Sequence, residues 1–173
     1  MDRETLGEPR SSDLILIVDD EPRVRESIRS ILEDEGYSVI EASDGQEGLT
    51  RVAADKPDTV LLDIWMPDLD GIEVLRGIKQ VDVDLPVIIM SGHGTIETAV
   101  KAAKLGAYDF LEKPLSIDKL ELVLRNALSQ RALLEKNRAL KGDGESKSEF
   151  VGVSPAIIAM LEQVRICPQF PVT

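Results

Sequence analysis

Carboxylate, hydroxyl and ammonium groups stand where the apolar stretches of this sequence end. An acidic pair follows the first stretch, a third aspartate closes another, and a serine and a lysine follow two later ones. A short apolar run closed by a polar residue is typical of a buried strand that brings one side chain to the edge of a sheet. The candidate residues are Asp19, Asp20, Asp63, Ser91 and Lys113.

These residue types predict phosphoryl chemistry at a divalent cation. Three carboxylates at one place repel and raise one another's pKa unless a cation lies among them. Oxygen donors favour a hard ion over zinc, and Mg²⁺, which keeps some waters and a phosphate oxygen as ligands, fits best. The Ser91 hydroxyl and the Lys113 ammonium group suit phosphoryl oxygens. One aspartate is then expected to act as a nucleophile and form an aspartyl phosphate.

Five strands are predicted to position these groups. Three are continuous apolar runs, which predicts burial on both faces. Two are half-polar, and in the first of these Val39 is expected to face inward and Glu41 outward. The continuous runs are 14–18, 59–62 and 86–90, and the half-polar ones are 37–42 and 108–111.

Helical patterns separate the strands, so the fold class is α/β. Alternating strands and helices predict a doubly wound, five-stranded parallel sheet covered on both faces. The flavodoxin-like order 2-1-3-4-5 puts the half-polar strands at the edges and the switch point between the first and third strands. The fifth helix is expected to start near Ser116 and to extend to about Leu140. Ligands of such sheets bind beyond the carboxyl ends of the strands, where the candidate residues lie.

Four motifs resemble those of bacterial two-component response-regulator receiver domains. They are Asp19-Asp20, the segment 62–71 (Leu-Asp-Ile-Trp-Met-Pro-Asp-Leu-Asp-Gly), Met90-Ser91-Gly92 and Lys113-Pro114. The resemblance covers about residues 13–130, with the motifs in the right order on the right strands. It implies that Asp63 accepts phosphate from a sensor histidine kinase.

The same resemblance implies roles for the neighbouring residues. Asp20 and Asp63 would bind Mg²⁺ through their carboxylates, Trp65 through its backbone carbonyl and Asp19 through a water. Ser91 and Lys113 would contact the phosphoryl group. Phe110 matches the aromatic switch position, whose ring is expected to turn inward as Ser91 is drawn to the phosphate.

Each candidate also has a plainer interpretation. The acidic pair could cap the helix that begins at Pro22, because aspartate is favoured there. Ser91 and Lys113 could be ordinary turn residues, and Phe110 could be a core residue. His93, the only histidine, is interpreted as a residue of a Gly-rich loop and not as a proton-transfer group.

The last helix is predicted to extend beyond the domain that it completes. Leu133, Leu134 and Leu140 continue an apolar stripe, which favours a homodimer contact between two such helices. Gln130 and Asn137 interrupt the pattern, so a solvated connector helix is the alternative.

The chain divides into a polar leader at 1–12, the receiver domain at 13–130, a helical extension and linker at 131–149, and a tail at 150–173. The tail is similar to the opening of the central ATPase domain of sigma-54-dependent activators of the nitrogen-regulation type. The phosphate-binding pattern G-x-x-x-x-G-K-[ST] is absent, so neither ATPase activity nor DNA binding is assigned to these residues. A disordered tail is the alternative, and the sequence does not say whether Thr173 is a natural end.

Composition narrows the function classes. The 173 residues carry a formal net charge of −12, which argues against nucleic-acid binding by this chain. No apolar run is long enough to span a membrane, and the single cysteine, Cys167, cannot form an internal disulfide. A cytoplasmic protein is expected.

The leading hypothesis is a phosphorylation-controlled, non-enzymatic receiver that forms the regulatory head of a transcriptional activator. A stand-alone receiver that acts by protein contacts or as a phosphate sink is the alternative. A Mg²⁺-dependent phosphatase of the haloacid-dehalogenase type is a distant third, because such enzymes carry a second acid two residues after the nucleophile. That position is occupied here by Trp65.

Overall fold

A computed structural model describes residues 13–141, except for the side chain of Lys141, together with Ala156 and Ile157. Strands and helices alternate throughout the first range. The strands are β1 (Leu14–Val18), β2 (Ser38–Ala42), β3 (Thr59–Asp63), β4 (Val87–Ser91) and β5 (Asp109–Glu112). The helices are α1 (Pro22–Asp34), α2 (Gly45–Asp55), α3 (Gly71–Val81), α4 (Ile96–Lys104) and α5 (Ile117–Lys141).

The five strands form one parallel sheet in the order β2-β1-β3-β4-β5. The predicted order is therefore confirmed, with the half-polar strands at the edges and the continuous apolar strands in the centre. All five residues of β3 and of β4 are buried. β2 lies on one side of β1, and β3 lies on the other, so the strand order reverses between β1 and β3. The carboxyl ends of β1 and β3 therefore lie side by side at the switch point.

The predicted alternation in β2 is wrong. Val39 packs with the residues of α1, and Glu41 forms ion pairs with Arg25 and Arg29 of the same helix. Residues two apart point to the same face of a strand, so Val39 and Glu41 share one face. Ile40 packs into the core on the other side. Both faces of this edge strand are therefore covered, and Glu41 is accommodated by two arginines instead of by open solvent.

Helices cover both faces of the sheet and enclose two apolar clusters. One cluster joins the sheet to α2, α3 and α4 through residues such as Val52, Leu75 and Ala102. The other joins the opposite face to α1 and α5 through residues such as Leu32 and Leu124. This layered packing holds the strand ends rigidly and so fixes the edge on which the candidate residues stand.

The end of α5 contacts the loop between α3 and β4. Arg131 forms an ion pair with Asp82 at 3.1 Å, and Arg138 forms one with Asp84. We call these four residues the clasp. It lies at the amino-terminal edge of the sheet, opposite the candidate site.

The single apolar stripe predicted at the end of α5 is divided between two faces. Leu134 is half-buried beside the clasp, whereas Leu133 and Leu140 are 61% and 84% exposed. At 100° per residue, Leu133 and Leu140 lie on one face and Leu134 on another. The helix therefore presents one face to its own domain and keeps a second one open.

Among the described residues, no helix combines the length and apolar character that crossing a bilayer requires. The predicted leader and most of the linker and tail lie outside the described residues, as does Cys167. The predicted extension of α5 past residue 130 is confirmed up to Lys141.

Candidate functional site

Three aspartates meet at the carboxyl ends of β1 and β3. One carboxylate oxygen from each of Asp19, Asp20 and Asp63 lies within 4.8 Å of the others. Asp19 and Asp63 are buried, and Asp20 is partly exposed. Asp20 has no hydrogen bond or ion pair with any residue in the described part of the chain. The three acids that the sequence singled out thus form one cluster with an unpartnered carboxylate.

Lys113 brings a positive charge to this cluster. Its Nζ lies 2.7 Å from Asp19 Oδ2 and 3.5 Å from Asp63 Oδ2. The backbone N–H of Lys113 donates to the Ser91 carbonyl at 2.8 Å, and the Lys113–Pro114 peptide bond is cis. Burial by itself would lower the pKa of Lys113, but the hydrogen bond to Asp19 and the charges of Asp19 and Asp63 outweigh it and raise the pKa. The ammonium group is therefore held in its charged form.

Burial raises the pKa of Asp63, and the charge of Asp19 adds to that effect. The Lys113 ammonium group and the backbone N–H of Trp65 act in the opposite direction without cancelling it. Three carboxylates thus face a single ammonium group, and the cluster keeps an excess of negative charge. That excess and the all-oxygen donor set suit a hard divalent cation.

Both carboxylate oxygens of Asp19 have hydrogen-bond partners, whereas a helix cap uses only one. Its Oδ1 accepts a hydrogen bond from the Glu21 backbone N–H at 2.9 Å, while its Oδ2 binds Lys113. Glu21, not Asp19 or Asp20, is the N-cap of α1 and makes no side-chain cap. The helix-cap interpretation of the acidic pair therefore does not describe this structure.

Ser91 is fully buried at the end of β4, and two N–H groups donate to its hydroxyl oxygen. They are the indole Nε1 of Trp65 at 3.1 Å and the backbone N–H of His93 at 3.3 Å. The sequence assigned Trp65 only a backbone role, so its side-chain contact was missed. No sequence pattern signals a hydrogen bond between residues 26 positions apart. The side chain of His93 is exposed, in keeping with the loop interpretation.

Phe110 lies on β5 beneath the loop between β4 and α4. Its ring is partly buried and packs against the core cluster of α2, α3 and α4. A Cβ placed on Gly94 would overlap the end of the ring. The ring packs against the core and also touches the loop that follows Ser91, which fits both the core and the switch interpretations.

Gly71 fixes the backbone that carries Asp63. A Cβ at this position would lie 2.5 Å from Ile64 Cα and 2.6 Å from the Asp63 carbonyl oxygen, both backbone atoms. The Gly71 N–H donates to the Ile64 carbonyl at 3.1 Å, and Asp70 caps α3 by accepting from the Ile72 N–H. Only glycine permits this close approach of α3 to the end of β3.

Comparison with known proteins gives a consistent result. Residues 15–125 match the family model of the response regulator receiver domain. The nitrogen assimilation regulatory protein NtrX of Azorhizobium caulinodans is 48% identical over 129 residues, which cover 73% of this chain and 28% of that protein. The C4-dicarboxylate transport transcriptional regulatory protein DctD of Pseudomonas aeruginosa is 40% identical over 154 residues, which cover 87% and 33%. The chain thus spans about a third of the length of these curated relatives.

Solved structures show the same likeness. A receiver domain protein from Clostridium thermocellum superposes with a TM-score of 0.68 at 36% identity, covering 70% of this chain and 98% of that one. NtrX from Brucella abortus, solved in complex with ADP, gives a TM-score of 0.71 at 39% identity, covering 91% of this chain and 35% of that one. With its strand order and the match of residues 15–125, the chain belongs to the response-regulator receiver domain family.

Proposed function

We propose that Asp63 accepts a phosphoryl group from a sensor histidine kinase and that the chain is the phosphorylation-controlled regulatory head of a transcriptional activator. The NtrX and DctD relatives are named as regulatory proteins, which supports this class over an enzyme. The likeness of the tail to nitrogen-regulation activators, stated above from the sequence, favours a regulatory head over a stand-alone receiver. The domain division at residues 12, 130 and 149 is part of the proposal.

One observation supports the proposal above the others: a partly buried lysine contacts two buried carboxylates at the ends of adjacent strands. An acid cluster that served only to cap a helix would not need a lysine that is 94 residues away in the sequence and directly follows β5. The arrangement leaves Lys113 able to bind a phosphoryl oxygen next to Asp63, because its ammonium group has three donors.

The donor set fits Mg²⁺. Asp20 and Asp63 would bind the ion directly, with the Trp65 carbonyl as a third ligand, and Asp19 would act through a water. Bound there, Mg²⁺ would offset the charge that Asp63 and the incoming phosphoryl group bring together. The unpartnered carboxylate of Asp20 supports this assignment, since a lone acid beside two buried ones is costly without a counter-ion.

The transfer step uses Asp63 as the nucleophile. An oxygen of Asp63 forms a bond to phosphorus as the phosphorus–nitrogen bond of the phosphohistidine breaks, and the leaving imidazole keeps the electron pair and takes a proton from solvent. Lys113 stabilises the negative charge on the transferred group through its ammonium.

Phosphorylation is expected to shift Ser91 and the loop that follows it. The Ser91 hydroxyl would donate to a phosphoryl oxygen, and Phe110 would follow by turning inward. Ser91 and Phe110 both lie beside Gly94, so we expect a shift of one to reach the other. The outcome is a shift in population between two arrangements of one fold.

A homodimer through α5 is the proposed response. Leu122, Leu133 and Leu140 are 57%, 61% and 84% exposed, and at 100° per residue they fall on one face of the helix. An exposed apolar stripe of this kind suits a second copy of the same helix.

The test is intact mass spectrometry after incubation with a small phosphodonor such as acetyl phosphate, with and without Mg²⁺. We expect a single phosphoryl adduct that requires Mg²⁺ and disappears in Asp63→Asn. Asp68→Asn is the matched control, because Asp68 is exposed in the same loop and lies outside the cluster. Light scattering on the same samples should show a dimer only after phosphorylation.

Two results would contradict the proposal. An adduct that persists in Asp63→Asn would move the acceptor elsewhere, and folded wild-type protein without an adduct would remove phosphotransfer from the site. A phosphorylated protein that stays monomeric would remove only the dimer and would favour the stand-alone receiver.

A further inference from the structure

The Ser91 hydroxyl uses two of its three hydrogen-bonding positions. A serine oxygen has two lone pairs that accept and one hydrogen that donates. The Trp65 indole and the His93 backbone N–H occupy both lone pairs. No residue in the described ranges accepts a hydrogen bond from Ser91 Oγ, although the residue is fully buried. The free hydrogen is therefore the unsatisfied part of the group, and it needs an acceptor from outside the chain.

Trp65 connects the two strand ends that the proposed reaction uses. Its backbone N–H donates to Asp63 Oδ1 at 3.1 Å, while its indole reaches Ser91 at the end of β4. The side chain is 57% exposed, so burial of the ring contributes little to its position. The hydrogen bond to Ser91 is the one directional contact of the indole among the described residues.

We propose that Trp65 is a positioning residue for Ser91. By occupying a lone pair, its indole N–H fixes the hydroxyl rotor so that the hydrogen points toward the phosphoryl group on Asp63. The proposal rests on the proposed function, because it takes the phosphoryl oxygen as the missing acceptor. It assigns the side chain of Trp65 a role separate from that of its backbone carbonyl.

The first test is the rate of phosphorylation by acetyl phosphate in Trp65→Phe, Ser91→Ala and the double variant. Phenylalanine keeps an aromatic ring but lacks the N–H. We expect Trp65→Phe to be slower than wild type by about threefold to tenfold, the range for one misdirected hydrogen bond. In the Ser91→Ala background, the same substitution should have no further effect.

An equal loss in both backgrounds would overturn the proposal, because the indole would then act without Ser91. A Trp65→Phe variant as fast as wild type would also overturn it. Circular dichroism of each variant checks that the fold is retained, which the exposure of the ring leads us to expect.

The second test does not depend on phosphorylation. The sequence contains one tryptophan, so its indole N–H gives a single resonance in a proton–nitrogen NMR spectrum. Ser91→Ala should shift this resonance upfield and speed its exchange with water, whereas His93→Ala, which retains the backbone donor, should leave it in place. An unchanged resonance in Ser91→Ala would overturn the proposal.

The two tests separate the proposals. Loss of the hydrogen bond by NMR together with a wild-type protein that takes no phosphate would refute the proposed function while leaving the indole contact established. A normal phosphoryl adduct with no NMR change would refute the positioning role alone.

Discussion

At the scale of single residues, the buried carboxylates of Asp19 and Asp63 differ in how tightly their neighbours hold them. Both oxygens of Asp19 are held by short contacts, at 2.9 Å to the Glu21 N–H and 2.7 Å to Lys113. The oxygens of Asp63 have longer contacts, at 3.1 Å to the Trp65 N–H and 3.5 Å to Lys113. Of these two buried carboxylates, Asp63 is the better candidate nucleophile, since it gives up less to form a new bond.

Gly94 provides a residue-scale test of the proposed switch. Gly94→Ala puts a methyl group where the Phe110 ring now lies, so we expect the ring to leave its present site and stability to fall by about 1–3 kcal/mol. Urea denaturation measures the loss, and the ring resonances of Phe110 report the displacement.

Gly92→Ala is the control for that substitution. It lies in the same loop, but a methyl group there meets no atom within 4 Å. If Gly94→Ala were as stable as Gly92→Ala and left the Phe110 resonances in place, the loop would have moved to accommodate the methyl group, and the expected displacement of the ring would be wrong.

At the scale of elements, the clasp extends the folded unit along α5. The last residue of α5 that packs with the core clusters is Leu128, among those described. The remaining 13 residues would form only a marginal helix in isolation, since short helices lack enough cooperative hydrogen bonds. Ion pairs of Arg131 and Arg138 with the α3–β4 loop give this part of the helix a tertiary contact.

Breaking the clasp should loosen the end of α5 without unfolding the domain. We expect a double-mutant cycle on Arg131→Gln and Asp82→Asn to give a coupling energy of about 1 kcal/mol, because Arg131 is only 16% exposed. Amide hydrogen exchange should then quicken in residues 132–138 and stay unchanged in the sheet.

The control cycle uses Arg51 and Asp55, an exposed pair within α2. Its coupling should be a few tenths of a kcal/mol. Equal coupling energies for the two pairs would mean that the clasp is an ordinary surface contact. Unchanged amide exchange in residues 132–138 would mean that the end of α5 stays helical without the clasp.

The elements themselves were largely predictable, because their signals are local. Continuous apolar runs identified the central strands, and polar residues at their ends identified Asp63 and Ser91. The error at Val39 and Glu41 was one of spacing, because residues two apart share a face of a strand. The arginines of α1 that pair with Glu41 are not part of the strand's own pattern. The clasp and the indole contact of Trp65 join residues far apart in sequence, so no local pattern predicts them.

At the scale of the whole molecule, the two polar constellations lie at opposite edges of the sheet. The acidic site follows the carboxyl ends of the strands, and the clasp lies before β4. Lys79 stands beside the clasp, where its Nζ donates to the Leu85 carbonyl at 2.7 Å and to the Val83 carbonyl at 3.2 Å. Burial lowers the pKa of Lys79 to about 8, although the charges of Asp82 and Asp84 oppose the shift and that of Arg131 adds to it.

This depressed pKa predicts that stability rises with pH above 8. Below pH 8 both the folded and the unfolded chain carry the charged amine, so the cost of burying it is fully present. Between pH 8 and 10.5 the folded chain binds fewer protons than the unfolded one, and the free energy of unfolding increases. The contribution of Lys79 between pH 7 and pH 9 is about 1 kcal/mol.

Urea denaturation at pH 7 and pH 9 measures this gain, which Lys79→Met should abolish. Lys104→Met, at an exposed position of α4, is the control and should keep the gain. Working no higher than pH 9 avoids the ionisation of Tyr37 and Tyr108, whose pKa values burial raises. A gain of the same size in Lys79→Met would assign it to other groups.

The clasp also makes α5 a lever. The 25 residues of α5 span about 37 Å, so a tilt of about 10° at its first turn would carry its last turn about 6 Å sideways. Arg131 and Arg138 attach the C-terminal part of α5 to the α3–β4 loop. This loop leads directly into β4, which carries Ser91. We therefore expect movement of the helix end to be transmitted to β4 through the clasp.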